Sequence, residues 1–254
     1  MDNFSLSSHF SNYFSISIAN TPQLREEVFR IRYQVYCQEL GYEPLDKFPD
    51  QMEKDAYDPR SIHCLLKYKP DDIYAGCVRL VLSDTNNPNA NFPFENVCKD
   101  HLINFQETPR SILGEVSRLA VISQFRKREG EQKTPGGLII FDEKKKQIEL
   151  ESKKRRFPII ALSLYLAATT LTVERDVQYA ITLMEPRLAR HLRMSGLTSR
   201  PVGSLIEFHG KRGPFAINVA EAVNNISNNP ELDDLFQKIQ DSIRRCLSSK
   251  RLSA

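Results

Sequence analysis

The residues best suited to acid–base chemistry lie in three segments, each beside or within a predicted strand. Glu53–Asp58 holds three carboxylates just before the first strand. Arg79 stands in the middle of the apolar run Gly76–Val81. An arginine at this position requires an acidic partner, because burying an unpaired charge is costly. The carboxylates can supply that partner, although an acidic segment of this kind is more often a solvated loop.

Glu115 and Arg118 belong to the third segment, the predicted strand Ile112–Ile122. Their odd separation places them on opposite faces of a regular strand. A β-bulge would bring both to one face and leave backbone N–H groups without ladder partners at the kink. Such N–H groups are suitable donors to the oxyanion that forms in acyl transfer.

A further candidate surface lies on the first strong helix, which begins with an N-cap at Thr21 and a proline in its first turn. Two arginines alternate with two aromatic residues at helical spacing on one face. This face can close over an anionic ligand, but it is more commonly a solvated face with packed arginine stems. The residues are Arg25, Phe29, Arg32 and Tyr36.

The elements that must position these residues alternate between strands and helices. The predicted strands are Ser61–Tyr68, Tyr74–Ser83, Ile112–Ile122, Tyr179–Met184, Ser204–Phe208 and Phe215–Val219, with a tight turn over 210–213. The predicted helices begin at Pro22, Pro158, Glu185 and Pro230. This order predicts an α/β (α+β) protein with a mixed central sheet flanked by helices.

The composition of the 254-residue chain, with 41% apolar and 26% charged residues, allows it to bury a core. A net charge of only +3 argues against a nucleic-acid-binding protein. Residues 126–156 are an exception, because eleven bases and six acids give them a local charge of +5. This charged insertion is interpreted either as a solvated loop or as a docking patch for an acidic protein or a phosphate-bearing ligand.

Several enzyme classes lack their signatures, since there is no G-x-S-x-G, H-E-x-x-H, Walker or G-x-G-x-x-G motif. Cys98 and His101 have no second ligand pair with zinc spacing, so no metal is expected. The five cysteines include no C-x-x-C pair, which favours reduced thiols in a cytoplasmic protein. The uncharged stretch Phe157–Val173 is shorter than a typical membrane span and predicts a buried helix, without stable membrane insertion.

The charged segments occur in the order and approximate spacing of the acyl-homoserine-lactone (autoinducer) synthases, and the chain resembles these enzymes. The resemblance implies an acyltransferase built on the acetyltransferase (GNAT) fold. The motifs that carry it are Leu24-Arg25, Phe29, Glu53-x-Asp55-x-Tyr57-Asp58, Val78-Arg79-Leu80, Glu115-Val116-Ser117-Arg118, Tyr179-Ala180-Ile181-Thr182, Arg187-Leu188, Arg190-His191-Leu192 and Gly196.

The chain is still more similar to relatives of the N-acyl amino acid synthases, in particular the acyltransferases associated with PEP-CTERM/exosortase systems. This resemblance lies in Arg32–Cys37, Phe48–Asp50 and Gly210–Phe215. It implies transfer of a fatty acyl group from an acyl carrier protein or acyl-CoA thioester to a primary amine, such as an amino acid. No metal is implied.

Two departures from these families bear on the substrates. Lactone synthases carry a tryptophan shortly after the first-helix phenylalanine, and this chain has none, which disfavours S-adenosylmethionine as the acceptor. The pyrophosphate loop of acetyltransferases is also incomplete, because Arg126–Gly130 holds one glycine. An acyl carrier protein is therefore an attractive partner as donor.

The residue types and the resemblance together assign roles. Glu115 is the expected catalytic base, acting through a water, since free amines are mostly protonated near neutral pH. Arg118 is expected to orient Glu115 or an acceptor carboxylate. The expected substrate-binding residues are Arg25, Phe29, Arg32, Asp55, Asp58, Arg79 and Ser117. The expected donor-binding residues are Leu119, Val121, Arg126, Arg128, Lys144, Lys145 and Lys146. Backbone N–H groups near Leu119–Val121 are expected to hold the oxyanion. Ile159–Val173 and Leu138–Phe141 are expected to line an acyl chain.

The chain is expected to hold an N-terminal extension over residues 1–20, an acyltransferase domain over 21–226 and a C-terminal helix over 227–254. Three alternatives stay open. They are a lactone synthase, an acetyltransferase that uses acetyl-coenzyme A, and a non-catalytic ligand-binding module on the same fold.

Overall fold

A computed structural model describes residues 5–105, 107–126 and 159–248. Its strands form an eight-stranded sheet in the order β1-β2-β3-β4-β5-β8-β6, and β7 pairs with β8 off this path. The strands are β1 Phe14–Ile18, β2 Ser61–Tyr68, β3 Ile73–Leu82, β4 Leu113–Val121, β5 Tyr179–Met184, β6 Ser199–Pro201, β7 Ile206–Glu207 and β8 Lys211–Asn218. The helices are α1 Leu6–Tyr13, α2 Pro22–Arg32, α3 Pro93–Val97, α4 Ile159–Val173, α5 Pro186–Arg193, α6 Val219–Ser227 and α7 Pro230–Ser248. The mixed sheet flanked by helices confirms the predicted fold class.

The sheet opens between its two central strands. β4 and β5 run parallel and pair only over Leu113–Glu115 and Tyr179–Ile181. β5 continues to pair with β8 along its full length. Past Glu115, the β4 residues Val116–Leu119 are half-buried, although they lie in a central strand. The two halves of the sheet therefore diverge and leave a cleft between β4 and β5.

The apolar helix α4 is the centre of the main core. Its residues from Ile160 to Thr172 are all buried, and it packs against the sheet and against α7. The hydroxyls of Thr169 and Thr170 donate to carbonyls one turn back at 3.0 Å, so burying them costs little. The predicted buried helix is confirmed. Its expected role in lining an acyl chain stays a prediction, and Leu138–Phe141 lies outside the described residues.

The opposite face of the sheet is covered by α2. Thr21 caps this helix by accepting a hydrogen bond from the Leu24 N–H at 3.3 Å, as the sequence predicts. Val28 and Ile31 are buried against the sheet in a second apolar cluster. The N-cap and this apolar stripe together hold the charged face of α2 over β3 and β4.

The hairpin before β8 differs from the prediction of a turn over 210–213. β8 already begins at Lys211, and the chain reverses at His209 and Gly210, which have positive φ angles of 51° and 96°. Gly213 lies inside β8, where an added Cβ would come within 2.9 Å of Leu205. This glycine therefore lies within a strand, beside the Leu205 side chain, and does not form the turn.

The segment expected as an N-terminal extension contributes to the sheet in its described part. α1 packs on α7, and β1 forms an edge strand paired with β2. Phe10, Phe14, Ile16 and Ile18 join the main core. Within the described residues, no helix is long and apolar enough to cross a membrane.

Candidate active site

β4 contains the bulge that the spacing of Glu115 and Arg118 requires. Arg79 of β3 pairs with Ser117, while Cys77 pairs with Ala120, so two β4 residues oppose one β3 residue. Arg118 accommodates the extra residue with a φ of +51°. The bulge lies just past the last β4–β5 pair, so its backbone borders the open cleft.

Two buried arginines converge on one carboxylate. Arg32 donates through Nη1 to Oδ1 of Asp58 at 2.6 Å, and Arg79 donates to the same oxygen at 2.8 Å. Arg79 also donates to Asp55 at 2.6 Å and to the Ser117 hydroxyl at 3.2 Å. Arg32 and Arg79 are both fully enclosed. The acidic segment is therefore the partner of Arg79, and it is not a solvated loop.

Glu53 extends this network to the bulge. It accepts hydrogen bonds from Nε of Arg32 and, at 3.1 Å, from Nε of Arg118. Arg118 also lies 3.4 Å from Asp55. The structure thus pairs Arg118 with Glu53 and Asp55, whereas no ion pair joins it to Glu115 among the described residues. Arg118 therefore acts on Glu115 only through its charge, and its expected role in orienting Glu115 or an acceptor carboxylate stays a prediction.

These contacts hold the two most buried network acids in their charged form. Burial alone would raise the pKa of Glu53, but Arg32 and Arg118 outweigh it and lower the pKa to about 2. Burial likewise opposes ionisation of Asp58, and Arg32 and Arg79 hold its pKa below the usual range. Both acids are therefore structural counter-ions and cannot act as bases near neutral pH.

Tyr36 connects the helical layer to the bulge. α2 continues into a π-helical turn over Tyr33–Glu39, which ends with a hydrogen bond from the Leu40 N–H to the Val35 carbonyl at 3.1 Å. This turn directs the Tyr36 hydroxyl to the carbonyl of Leu119, to which it donates at 2.9 Å. The Arg118 guanidinium lies 5.5 Å from the centre of the Tyr36 ring.

Glu115 differs from the other acids because it lacks a cationic partner among the described residues. It is only 2% exposed, and one carboxylate oxygen accepts from the Phe94 N–H at 2.8 Å. Burial raises the pKa of Glu115 to about 7, although the Phe94 N–H, Arg79 and Arg118 act in the opposite direction. A carboxyl group with this pKa can accept and release a proton near neutral pH.

The face of α2 that carries Arg25, Phe29 and Arg32 is not solvated, although a solvated face is the more common arrangement for such a pattern. Arg32 is enclosed and paired with carboxylates, so it cannot close over a ligand from solution. Phe29 packs edge-on against His63, with ring centres 5.8 Å apart. Arg25 is half-buried and lowers the pKa of His63 electrostatically, after the larger effect of burial.

The residues expected to bind the donor do not form one set. Leu119 lies at the bulge, whereas Val121 is buried in the core and paired with Gly76. Arg126 is enclosed and ion-paired with Glu39, so its placement does not favour donor binding. Arg128, Lys144, Lys145 and Lys146 lie outside the described residues, as does nearly all of the basic segment.

Three residues of the site did not appear among the expected site residues. Glu53 and Tyr36 stand in the segments that carry the resemblance, so a pattern signal for them exists. His63 has none, because its position opposite Arg79 depends on the β2–β3 register. Its Nε2 lies 3.6 Å from Asp58, and burial together with Arg32 lowers the pKa of His63 to about 3. The imidazole is therefore neutral.

The described residues contain no group of three or more His, Cys, Asp or Glu arranged to hold a metal ion. The carboxylates of the network are instead bound by guanidinium groups, which satisfy the same oxygen atoms that a cation would need.

Comparisons with known proteins bear on the fold of the chain. Residues 31–134 match the acetyltransferase (GNAT) domain. No curated protein matches the chain. Among solved structures, TofI in a ternary complex with an inhibitor and MTA is 19% identical, with a TM-score of 0.56 over 86% of this chain and 99% of TofI.

Two further structures are similar at the level of the fold. BjaI, a CoA-dependent acyl-homoserine lactone synthase solved with SAM and isopentyl-CoA, is 15% identical, with a TM-score of 0.57 over 89% of each chain. FeeM, an N-acyl amino acid synthase from uncultured soil microbes, is 16% identical, with a TM-score of 0.51 over 84% of this chain and 94% of FeeM. The chain therefore has the GNAT fold.

Proposed function

We propose that this protein is an N-acyltransferase, which moves a fatty acyl group from a thioester to a primary amine. The observation that carries the proposal is Glu115, a buried carboxyl with a pKa near 7 on the strand that borders the cleft. A base of this pKa matches the need to remove a proton from an amine near neutral pH. The acceptor is an amino acid or a related amine.

In the proposed reaction, the thioester enters the cleft between β4 and β5 and places its carbonyl at the bulge. Glu115 takes a proton from the amine through a water, and the nitrogen then attacks the carbonyl carbon. Backbone N–H groups near Leu119 stabilise the oxyanion. The carbon–sulfur bond breaks as the nitrogen of the tetrahedral intermediate gives its second proton to the leaving thiolate, and Glu115 releases the first proton to solvent. The products are an amide and a free thiol.

The ion-pair network serves this reaction by holding the bulge in place. Arg118 carries the strained backbone, and Glu53 and Asp55 fix its guanidinium from the side of the acidic segment. Arg79 fixes the neighbouring residue through the hydroxyl of Ser117. A preorganised oxyanion site needs no rearrangement when charge develops, which is the main source of its catalytic effect.

An acyl carrier protein is the preferred donor in this proposal, and acyl-CoA is the second candidate. α5 begins beyond the cleft end of β5 and exposes Arg187, Arg190 and Arg193. None of these arginines has an ion-pair partner among the described residues. An exposed basic helix at the entrance to a thioester site suits an acidic carrier. BjaI, which binds isopentyl-CoA, is the similar structure that favours the coenzyme.

The remaining assignments rest on the sequence resemblance. A lactone synthase differs in the acceptor, and an autoinducer bioassay on culture supernatant separates the two activities. An association with PEP-CTERM/exosortase systems is supported by Arg32–Cys37, Phe48–Asp50 and Gly210–Phe215. A non-catalytic module on the same fold predicts that Glu115→Gln leaves function intact.

The central experiment compares lipid extracts of a bacterial host expressing the wild type, Glu115→Gln or Glu231→Gln. Glu231 is an exposed acid at the start of α7 and serves as the matched control. Mass spectrometry should detect a new N-acylated amine with the wild type and the control, and not with Glu115→Gln. With purified enzyme, the rate should rise with pH to a plateau above about 7. The absence of any new N-acylated amine across several host strains would refute the activity.

A further inference from the structure

A groove of about 390 Å³ lies on the face of the sheet that carries Glu115. α2 and α3 cover this face over β2–β4, whereas α4, α6 and α7 pack on the opposite face. The second half of the sheet is therefore left open, and residues 102–104, 107 and 108 form one wall. The sheet residues of the floor are Leu113, Tyr179, Ile181, Ala216 and Asn218, and most of them are apolar.

One cross-strand row runs from Glu115, which does not itself line the groove, to three residues that do. Glu115 pairs with Ile181, Ile181 with Ala216, and Ala216 with Arg200 of the edge strand β6. Directly paired residues lie on the same face of a sheet. The Glu115 carboxyl, two apolar side chains and the Arg200 guanidinium therefore follow one another on this face. Three strand spacings separate the Cα atoms of Glu115 and Arg200 by about 14 Å.

The charges of the lining residues favour an anionic group at one position of the groove. Arg200 is the only positively charged residue among the described residues that line the groove. Its side chain is exposed and has no ion-pair partner among the described residues. Glu107 and Glu221 also line the groove. The acidic side chains attract an amine and repel an anion, so an anionic group is restricted to the position of Arg200.

We propose that this groove is the acceptor subsite, and that its ligand is an elongated amphipathic amine with an anionic group remote from the nitrogen. The amine lies at Glu115, the apolar body covers Ile181 and Ala216, and the anionic group binds Arg200. This proposal rests on the proposed function. A simple α-amino acid is too short to occupy both ends, because one carbon separates its amine from its carboxylate.

The test uses acceptors of increasing length with the purified full chain. The probes are glycine and the ω-amino acids aminohexanoate, aminooctanoate and aminododecanoate, with octylamine as a probe that lacks the carboxylate. Binding is measured by titration calorimetry, and acceptor KM is measured with an acyl thioester. The variants are Arg200→Ala, which removes the anion partner, and Ala216→Leu, which fills the floor. Arg245→Ala removes an exposed arginine on α7 as the control.

The affinity of the wild type should rise from glycine to aminooctanoate. Arg200→Ala should lower the affinity for aminooctanoate about ten- to hundredfold and leave the affinity for octylamine unchanged. Ala216→Leu should weaken the binding of both aminooctanoate and octylamine. Arg245→Ala should leave the affinity for both probes unchanged. Equal affinity along the series, or an unchanged affinity in Arg200→Ala, would overturn the proposal. Calorimetry needs no turnover, so a groove that binds these amines in a chain without acyltransferase activity would refute the proposed function alone.

Discussion

At the scale of single residues, the site separates acids that carry fixed charge from an acid that can titrate. Glu53 and Asp58 are each bound by two arginines, which keeps them ionised despite burial. Glu115 is equally buried but receives a single backbone hydrogen bond. The pKa values of buried carboxyls follow from these partners. The same residue type therefore supplies both the scaffold and the proposed base.

Glu53→Gln should destabilise the protein by about 3–5 kcal/mol at pH 7, because it leaves buried Arg32 and Arg118 short of a counter-ion. The folded pKa of Glu53, about 2, lies below its ordinary value of 4.5. Its ion pairs therefore stabilise the fold fully above about pH 4.5, and this contribution is lost as the pH falls through about 2.

Denaturant unfolding of wild type and variant across this pH range measures the difference. The gap in free energy of unfolding should narrow toward pH 2. Asp50→Asn, which changes an exposed acid paired with Lys54, is the control and should have little effect. A gap that stays constant from pH 7 to pH 2 would contradict the assignment of Glu53 as the ionised partner.

At the scale of elements, the site depends on two departures from regular geometry that contact each other. The π-helical turn after α2 directs Tyr36 toward β4, and the bulge directs the Leu119 carbonyl toward Tyr36. A regular helix would place the hydroxyl elsewhere, and a regular strand would turn Arg118 to the other face. The cleft opens directly beyond these irregular elements.

Tyr36→Phe removes the hydrogen bond to Leu119 and keeps the ring beside Arg118. A neutral hydrogen bond of this kind contributes about 1 kcal/mol, so we expect a loss of about fivefold in kcat, with acceptor KM unchanged. Hydrogen exchange of the β4 amides should be faster in the variant.

Tyr33→Phe is the matched control for this change. Tyr33 lies on the same π-helical turn, and its ring packs edge-on against Phe48. Tyr33→Phe should change neither kcat nor the hydrogen exchange of the β4 amides. If Tyr36→Phe also changes neither, the Tyr36 hydroxyl does not position the bulge.

At the scale of the whole molecule, the two halves of the sheet have different tasks. The β1–β4 half carries the charged network under α2. The β5–β8–β6 half carries most of the groove floor, and the basic helix α5 begins directly after β5. The three-residue pairing of β4 with β5 joins the halves and lets them diverge. In the proposed reaction, donor and acceptor approach the Glu115 region from separate directions.

Reversal of Arg187, Arg190 and Arg193 to glutamate should weaken apparent affinity for a carrier-borne donor at least tenfold, because it replaces attraction of an acidic carrier by repulsion. The effect should be larger at low than at high salt, since salt screens charges between proteins.

The control for this experiment reverses Lys238 and Arg245, which are exposed on α7. Kinetics with acyl carrier protein and with acyl-CoA are measured side by side. Weaker affinity for both donors would indicate that the arginines contact the thioester-bearing group that the donors share, or that the fold is damaged. Unchanged affinity for the carrier-borne donor at all salt concentrations would refute docking on α5.

The sequence by itself determined the periodic elements and the chemical demands of particular residues. The α2 N-cap at Thr21, the apolar helix α4 and the strands β2–β5 follow from local propensity and apolar spacing. Arg79 in an apolar strand required an acid, and the odd spacing of Glu115 and Arg118 required a bulge. These are local constraints, so they can be recognised without knowing which strands are neighbours.

Only the tertiary structure decided which charges meet. Arg118 pairs with Glu53, 65 positions away, and not with nearby Glu115. His63 joins the site through the β2–β3 register, and Arg200 aligns with Glu115 through four adjacent strands. Pairing between distant segments depends on sheet order and burial, and several equally charged partners compete for each group. Spacing along the chain does not contain this information.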